Sequence, residues 1–374
     1  MALFDVFRYG YGILFVGFHA VLLFGIFLEW IRDKRVLRAA LAAEQRTGQA
    51  ALVSVIIPIH NESRRMGGLL QSLAMQDYSG AEYIFIDDRS TDESPGLLAG
   101  FARGRKDCRI ITLTENPGPN YKQFALGRGI EAAAGEFLLF TDGDCEVKPG
   151  WIRAMMRRMA DDKTGAVIGP VFKKKTGKGF FPLYQCYDHA VRYNYLAAAT
   201  GLGAAGGGFG NNLIIRRKAL DAAGGYDAVP PSPTEDAALI SQIRSCGRSS
   251  GEYRIHAVAL DDADVQTCAE SSWGNFISQT LRWNNGGLFS PDPVTRFNYN
   301  LLMLIIAVGI LALPLLPFFP GLWPLPLAVL IGMIGNTIAV FSLFRRSLPG
   351  GGALYLLTLL CTPVYFTLMT IMGY

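Results

Sequence analysis

Asp142-Gly143-Asp144 sets two carboxylates one residue apart, directly after the apolar run Glu136-Phe137-Leu138-Leu139-Phe140. The run reads as a buried strand, and ligands of open α/β sheets bind beyond the carboxyl ends of the strands. A D-x-D turn there can aim two hard oxygen ligands at a divalent cation, which in turn holds a diphosphate. The same triplet is ordinary turn chemistry, so its meaning depends on what surrounds it. Pro58-Ile59-His60-Asn61-Glu62 is a second polar cluster behind an apolar run, Leu52–Pro58. It can place a planar ring and a carboxylate near a nucleoside, or cap a helix through Asn61 or Ser63. The two readings are compatible.

These clusters need a scaffold. The β-branched run Leu52–Pro58 reads as a first strand. Tyr83–Ile86 reads as a second, followed by Asp87-Asp88-Arg89-Ser90-Thr91-Asp92, and Arg109–Leu113 and Phe137–Phe140 as a third and fourth. Arg64–Gln76 and Lys122–Ala133 have helical spacing. Strands alternating with helices predict an α/β domain with a mainly parallel sheet and its polar clusters on one edge. No G-x-G-x-x-G or G-x-x-x-x-G-K-[ST] follows a strand, which disfavours a dinucleotide fold and a P-loop ATPase. The six cysteines show no C-x-x-C pairing and read as reduced structural thiols; the four histidines have no metal-ligand spacing. A zinc enzyme is disfavoured.

The 374 residues are 50% hydrophobic and only 18% charged, with a mean hydropathy of +0.24. The charge deficit is local. Tyr9–Leu28, Asn298–Phe319, Gly321–Phe344 and Leu348–Tyr374 each reach the roughly 20 apolar residues that cross a bilayer. Basic residues gather after the first (Arg32, Lys34, Arg35, Arg38) and after the third (Arg345, Arg346). By the positive-inside rule both ends are cytoplasmic. The expected organisation is a transmembrane helix over 9–30, a cytoplasmic linker over 31–50, a catalytic domain over 51–295 and three transmembrane helices over 298–374. The net charge of +4 gives no argument for nucleic acid.

Taken in order, V-S-V-I-I-P-x-x-N-E (Val53–Glu62), I-D-D-x-S-T-D (Ile86–Asp92), D-x-D (Asp142–Asp144), T-E-D (Thr234–Asp236) and Q-x-x-R-W (Gln279–Trp283) resemble the pattern of family 2 glycosyltransferases with the GT-A fold. The resemblance covers about residues 50 to 290 and extends to the membrane-integrated branch of that family. It implies a nucleotide-sugar donor, UDP-linked in this pattern, bound by Pro58, His60, Glu62, Asp88, Lys122, Asp142, Gln279, Arg282 and Trp283. Asp88 would meet the uracil edge, and Lys122 would support the nucleotide and diphosphate. Asp144, with Asp142, would hold Mg²⁺ or Mn²⁺, and Asp236 would be the general base of an inverting transfer. Each has a bland counterpart: a turn cap for Asp88, a solvated lysine, a helix-start carboxylate for Asp236.

Gln279, Arg282 and Trp283 share one helix face by their spacing. Arg282 can fork a diphosphate, and Trp283 can stack on a sugar. Trp273, Phe276, Ile277 and Leu281 recur helically too, so the segment also reads as an interfacial amphipathic helix. Phe180-Phe181-Pro182 and the tyrosines after them read as a second interfacial element, and Gly201–Gly210 as a flexible loop near the acceptor. Polymer-extruding synthases of the branch generally carry more spans, so three spans after the domain favour a membrane lipid acceptor. A processive polysaccharide synthase is the alternative. A non-catalytic transporter or binding protein is disfavoured, because His19 and Asn336 are the only notable polar residues in the spans. The localisation expected is an integral membrane protein, as in a bacterial inner membrane, with a cytoplasmic catalytic domain.

Overall fold

The structure, a computed structural model, describes residues 2–44, 51–117, 119–174, 177, 179–260, 262–349 and 352–374. It falls into two units. Glu29–Lys174 and Gly207–Cys268 form a sheet unit; Met1–Leu28, Lys175–Gly206 and Ala269–Tyr374 form a helical unit.

In the sheet unit, β-branched and aromatic runs become strands β1 (Val53–Ile59), β2 (Ala81–Asp88), β3 (Cys108–Leu113), β4 (Phe137–Phe140), β5 (Cys145–Val147), β6 (Thr164–Ile168), β7 (Val171–Lys173), β8 (Leu213–Arg216), β9 (Arg254–Ala257) and β10 (Val265–Thr267). The main sheet has the order β3-β2-β1-β4-β8-β6-β9, and β5-β10-β7 form a smaller one. The β1–β2, β2–β3, β1–β4 and β6–β9 pairs are parallel, and only β8 runs against its neighbours in the main sheet. Strand order reverses at β1, between β2 and β4, which is where an open α/β sheet leaves a crevice at its carboxyl edge. Val55, Ile57, Phe85, Leu139, Trp151 and Met155 belong to one fully buried core on one side of it.

Pro58 helps to open that crevice. The Ile56 carbonyl accepts the Thr141 N–H at 3.3 Å, and the β1–β4 pairing ends at Ile56–Phe140. Pro58 has the same parity as Ile56, so its missing N–H falls on the β4 flank, where no ladder bond is lost.

The helix expected over 64–76 is shorter, Gly67–Ala74, and neither Asn61 nor Ser63 caps it: its N-cap is Met66, with no side-chain bond. The backbone N–H groups of Asn61, Glu62 and Ser63 instead bond Ser90, Ser94 and Asp92. The first helix runs Ala2–Glu44, through much of the segment expected as a linker from residue 31; residues 45–50 lie outside the described ones. Its continuation has a physical cause. Arg158 forks Asp33 at 2.6 and 3.0 Å, and Glu29 accepts the Ala257 N–H at 2.8 Å.

In the helical unit, four helices are long and apolar enough to cross a membrane: Asp5–Ala42, whose later part belongs to the sheet unit, Pro293–Leu315, Pro320–Phe344 and Tyr355–Gly373. They expose large apolar side chains such as Ile13 (74%), Ile338 (60%) and Leu356 (62%), as a surface made for lipid does. The tyrosine-rich helix Phe180–Gly201 differs from the interfacial element expected. Most of it is buried. Tyr187 bonds Thr337 at 2.6 Å, Asn194 bonds Asn336, and Tyr195 bonds His19 at 3.0 Å. His19, Asn336 and Thr337, polar residues inside the spans, thus each find a partner on this helix, which is how polar groups are tolerated there. In the helix Trp273–Leu288, Phe276 is buried and stacks on Tyr365 at 5.4 Å, while Trp273 stays exposed.

Candidate active site

Two turns at the carboxyl edge are held in left-handed backbone by residues other than glycine. Asn61 (φ 55°) follows β1 and Arg89 (φ 57°) follows β2. Such conformations are uncommon and need support from their surroundings. Asn61 Oδ1 accepts the Thr91 N–H at 2.8 Å, and Asp92 accepts from the Ser63 and Ser94 N–H groups at 3.0 and 2.9 Å. The Ser63 and Ser94 hydroxyls, with these two backbone bonds behind them, hold the Asp92 carboxyl far below the usual carboxylate range. The loop after β1 is therefore laced to the loop after β2. His60 Nδ1–H donates to the Asp88 carbonyl at 2.6 Å, which fixes the ring on that seam.

Asp88 is 6% exposed. It accepts from Arg89 Nε at 2.8 Å and from Asn116 Nδ2 at 2.9 Å. Glu62 is forked by Arg65 at 2.8 and 2.7 Å, and Arg65 Nη1 also lies 4.0 Å from Asp144. Burial raises the Glu62 carboxyl above its ordinary value; Arg65 opposes this, while Asp144 and Asp142 add to it. The three carboxylates thus share one electrostatic field.

The D-G-D turn leaves β4 and crosses to the end of β1. A Cβ on Gly143 would come within 2.7 Å of Ile59 and 2.9 Å of Glu62, so a larger residue between the two aspartates would have to push those side chains aside. Asp144 accepts the Thr267 hydroxyl at 2.8 Å. Asp142 pairs with Lys122 Nζ at 2.8 Å. Lys122 stands in the first turn of the helix Tyr121–Ala132, which Asn120 caps through the Gln123 N–H at 3.1 Å. Its ammonium also lies 3.6 Å from Glu235. Burial alone would lower this ammonium, yet Asp142, Glu235 and Asp236 hold it well above the ordinary lysine range.

Glu235 and Asp236 open the helix Glu235–Ser250. Asp236 accepts from the Gly210 N–H at 2.7 Å and from the Ala237 N–H at 2.8 Å. A Cβ at Gly210 would press on the Asp236 carboxyl at 3.2 Å. Crowding by protein and the Glu235 charge raise the Asp236 carboxyl; Lys122 and the two N–H groups pull it back.

The structure therefore brings Lys122, Asp142, Glu235 and Asp236 into one cluster and Glu62 and Asp144 into contact through Arg65. Pro58, His60 and Asp88 stand at the same sheet edge. Gln279, Arg282 and Trp283 belong to the helical unit. There Gln279 donates to Glu270 at 2.9 Å, Arg282 is exposed, and Trp283 meets His189 edge-on at 5.4 Å beneath the Arg192 guanidinium at 5.5 Å. Arg65, Asn116, Gly210 and Thr267 were missed from sequence. Only Arg65, three residues beyond Glu62, carried a local signal; Thr267 is 123 residues from its partner Asp144. Among the described residues, no three His, Cys, Asp or Glu side chains converge as a metal cage. Two hard carboxylates do fit a Mg²⁺ or Mn²⁺ ion of the kind completed by substrate phosphates and water.

Residues 54–224 match the family described as glycosyl transferase family 2. The beta-monoglucosyldiacylglycerol synthase of Nostoc sp. is 24% identical over 294 residues, 72% of this chain and 58% of that protein. The GalNAc(5)-diNAcBac-PP-undecaprenol beta-1,3-glucosyltransferase of Campylobacter jejuni is 30% identical over 128 residues, 33% of this chain and 40% of that protein. The chain thus spans well under two thirds of the length of these relatives. A mannosyltransferase from Pyrobaculum calidifontis, solved with GDP-Man and Mn²⁺, has a TM-score of 0.52 at 20% identity, covering 97% of this chain and 95% of that one. That likeness shows the fold, a GT-A-like α/β arrangement.

Proposed function

This chain belongs to glycosyl transferase family 2 through residues 54–224, and on that premise we propose that it transfers one sugar from a nucleoside diphosphate sugar, in this reading UDP-linked, to a hydroxyl of a membrane lipid. One observation carries the reading. Lys122 joins Asp142 to Glu235, so the D-x-D and T-E-D carboxylates meet on one ammonium. Asp142 and Asp144 would hold a Mg²⁺ or Mn²⁺ ion, which offsets charge growing on the leaving diphosphate. Asp88 suits a base N–H donor of the uracil, with His60, Glu62 and Pro58 shaping that wall.

Asp236 takes the proton from the acceptor hydroxyl as its oxygen attacks the anomeric carbon. The bond from that carbon to the diphosphate breaks, and the electron pair leaves with UDP. Attack opposite the leaving group inverts the configuration. The Gly210 and Ala237 N–H groups fix the carboxylate's direction, and its raised proton affinity improves it as a base. Gln279, Arg282 and Trp283 supply further donor or acceptor contacts in this reading.

The lipid acceptor rests on the four apolar helices and on a relative named for a glucosylated diacylglycerol. The basic clusters after the first and third spans support a cytoplasmic catalytic domain in this reading. Purified protein given UDP-sugar and a lipid extract should yield an organic-soluble product one hexose heavier than its lipid. A ladder of products, or a water-soluble polymer, would favour a processive polysaccharide synthase instead.

A further inference from the structure

The first apolar helix continues past Leu28 with two faces of opposite charge. One carries Glu29 and Asp33, 0% and 5% exposed. This acidic face is spent inside the sheet unit: Glu29 accepts the Ala257 N–H, while Asp33 accepts the Ala259 N–H at 2.9 Å and the Arg158 fork. Arg32 is tied to it through Glu29 at 2.5 Å.

The other face carries Trp30, Lys34 and Arg38 four residues apart, with Ile31 and Arg35 beside them. Together these five line an open cleft of about 370 Å³. Lys34 Nζ sits 3.7 Å from the centre of the Trp30 ring, which holds the ammonium over an aromatic face. Arg35 and Arg38 are exposed, and among the described residues no carboxylate pairs with Lys34, Arg35 or Arg38. Three cations and an indole therefore begin two residues beyond the last apolar residue of a membrane-length helix. Indole rings settle at headgroup depth, cations at that depth are drawn to an anionic leaflet, and guanidinium groups fork phosphate oxygens. Trp30 and Ile31 give the cleft an apolar wall for the start of an acyl chain.

We propose that Trp30, Ile31, Lys34, Arg35 and Arg38 form a site for the phosphate headgroup of an anionic membrane lipid. It uses none of the residues of the sugar-transfer reading. Because the opposite face of the same helix is locked to Arg158 and the Ala257–Ala259 backbone, a lipid held here tethers the sheet unit to the bilayer surface.

The test uses the full chain reconstituted in phosphatidylcholine bilayers containing phosphatidylglycerol, with spin-labelled analogues reporting which lipid resides on the protein. The wild type should prefer phosphatidylglycerol several-fold. R35Q/R38Q should reduce the preference, with about fivefold as the upper range for each cation removed, and R35K/R38K should keep most of it. R103Q/K106Q, an equal loss of two charges at other exposed cations, should leave it unchanged. Circular dichroism of each variant separates lost binding from lost fold. No preference in the wild type, or an undiminished one in folded R35Q/R38Q, would overturn the proposal. So would its abolition by millimolar inorganic phosphate at constant ionic strength, which would assign the cleft to soluble phosphate.

Discussion

The sheet edge and the interior of the helical unit both bury polar groups, but they balance them differently. In the helical unit partners are matched: Asp188 with Arg192 at 2.8 Å, His19 with Tyr195, Tyr187 with Thr337, Asn194 with Asn336. At the sheet edge six carboxylates (Glu62, Asp88, Asp142, Asp144, Glu235 and Asp236) face three cations (Arg65, Arg89 and Lys122). Matched pairs hold helices together where water is scarce. A surplus of carboxylates repels anions, so a diphosphate could enter only with a cation beside it. One arrangement serves stability and the other invites a charged ligand.

That contrast breaks first at the D-G-D turn. Thorough chelation should abolish transfer, and Mg²⁺ or Mn²⁺ should restore it, while Asp144→Ala should stay inactive in either metal. Activity that survives both treatments would reduce the turn to structure. Lys122→Met should come next, slowing transfer roughly 10²-fold by releasing the two carboxylate motifs from their shared ammonium. Lys122 lowers the Asp236 proton affinity. Its loss should therefore move the acid limb of the pH–rate profile to higher pH, and an unmoved limb would separate the two groups. The smallest effect belongs to the helical unit. Tyr187→Phe removes one 2.6 Å bond and should cost about 0.6 kcal/mol, the average for such bonds between membrane helices, with turnover unchanged. Detergent unfolding of the variant measures it; a loss of turnover at intact stability would give that helix a part in the reaction.

How much was legible from sequence follows the same divide. Strands β1 to β4 and the clusters behind them could be read because each signal is local: a β-branched run, then acidic residues. The left-handed turn at Arg89 could not, since arginine, unlike the asparagine at 61, does not announce a positive φ. The partners of Asp144 and Asp236 come from Thr267 and Gly210, joined only by folding. The tyrosine-rich helix misled because Phe180-Phe181-Pro182 and its tyrosines read as an interfacial element, while the Asp188–Arg192 pair, four residues apart, takes its charges inside. Residues 31–44 looked like a linker because Asp33 finds its counter-charge at Arg158, and Glu29 the Ala257 N–H, far along the chain.

The most direct test of the account compares Asp236→Asn with the wild type in two measurements, donor affinity and transfer rate across pH. The account predicts unchanged UDP-sugar binding and transfer slowed ~10²–10⁴-fold, the usual worth of a positioned base. The Asp236 carboxyl is raised to about 6. A base works only when deprotonated, so wild-type transfer should fall as pH drops through about 6, and the residual rate of the variant should lack that limb. Near-normal turnover by the variant, with the acid limb intact, would contradict it.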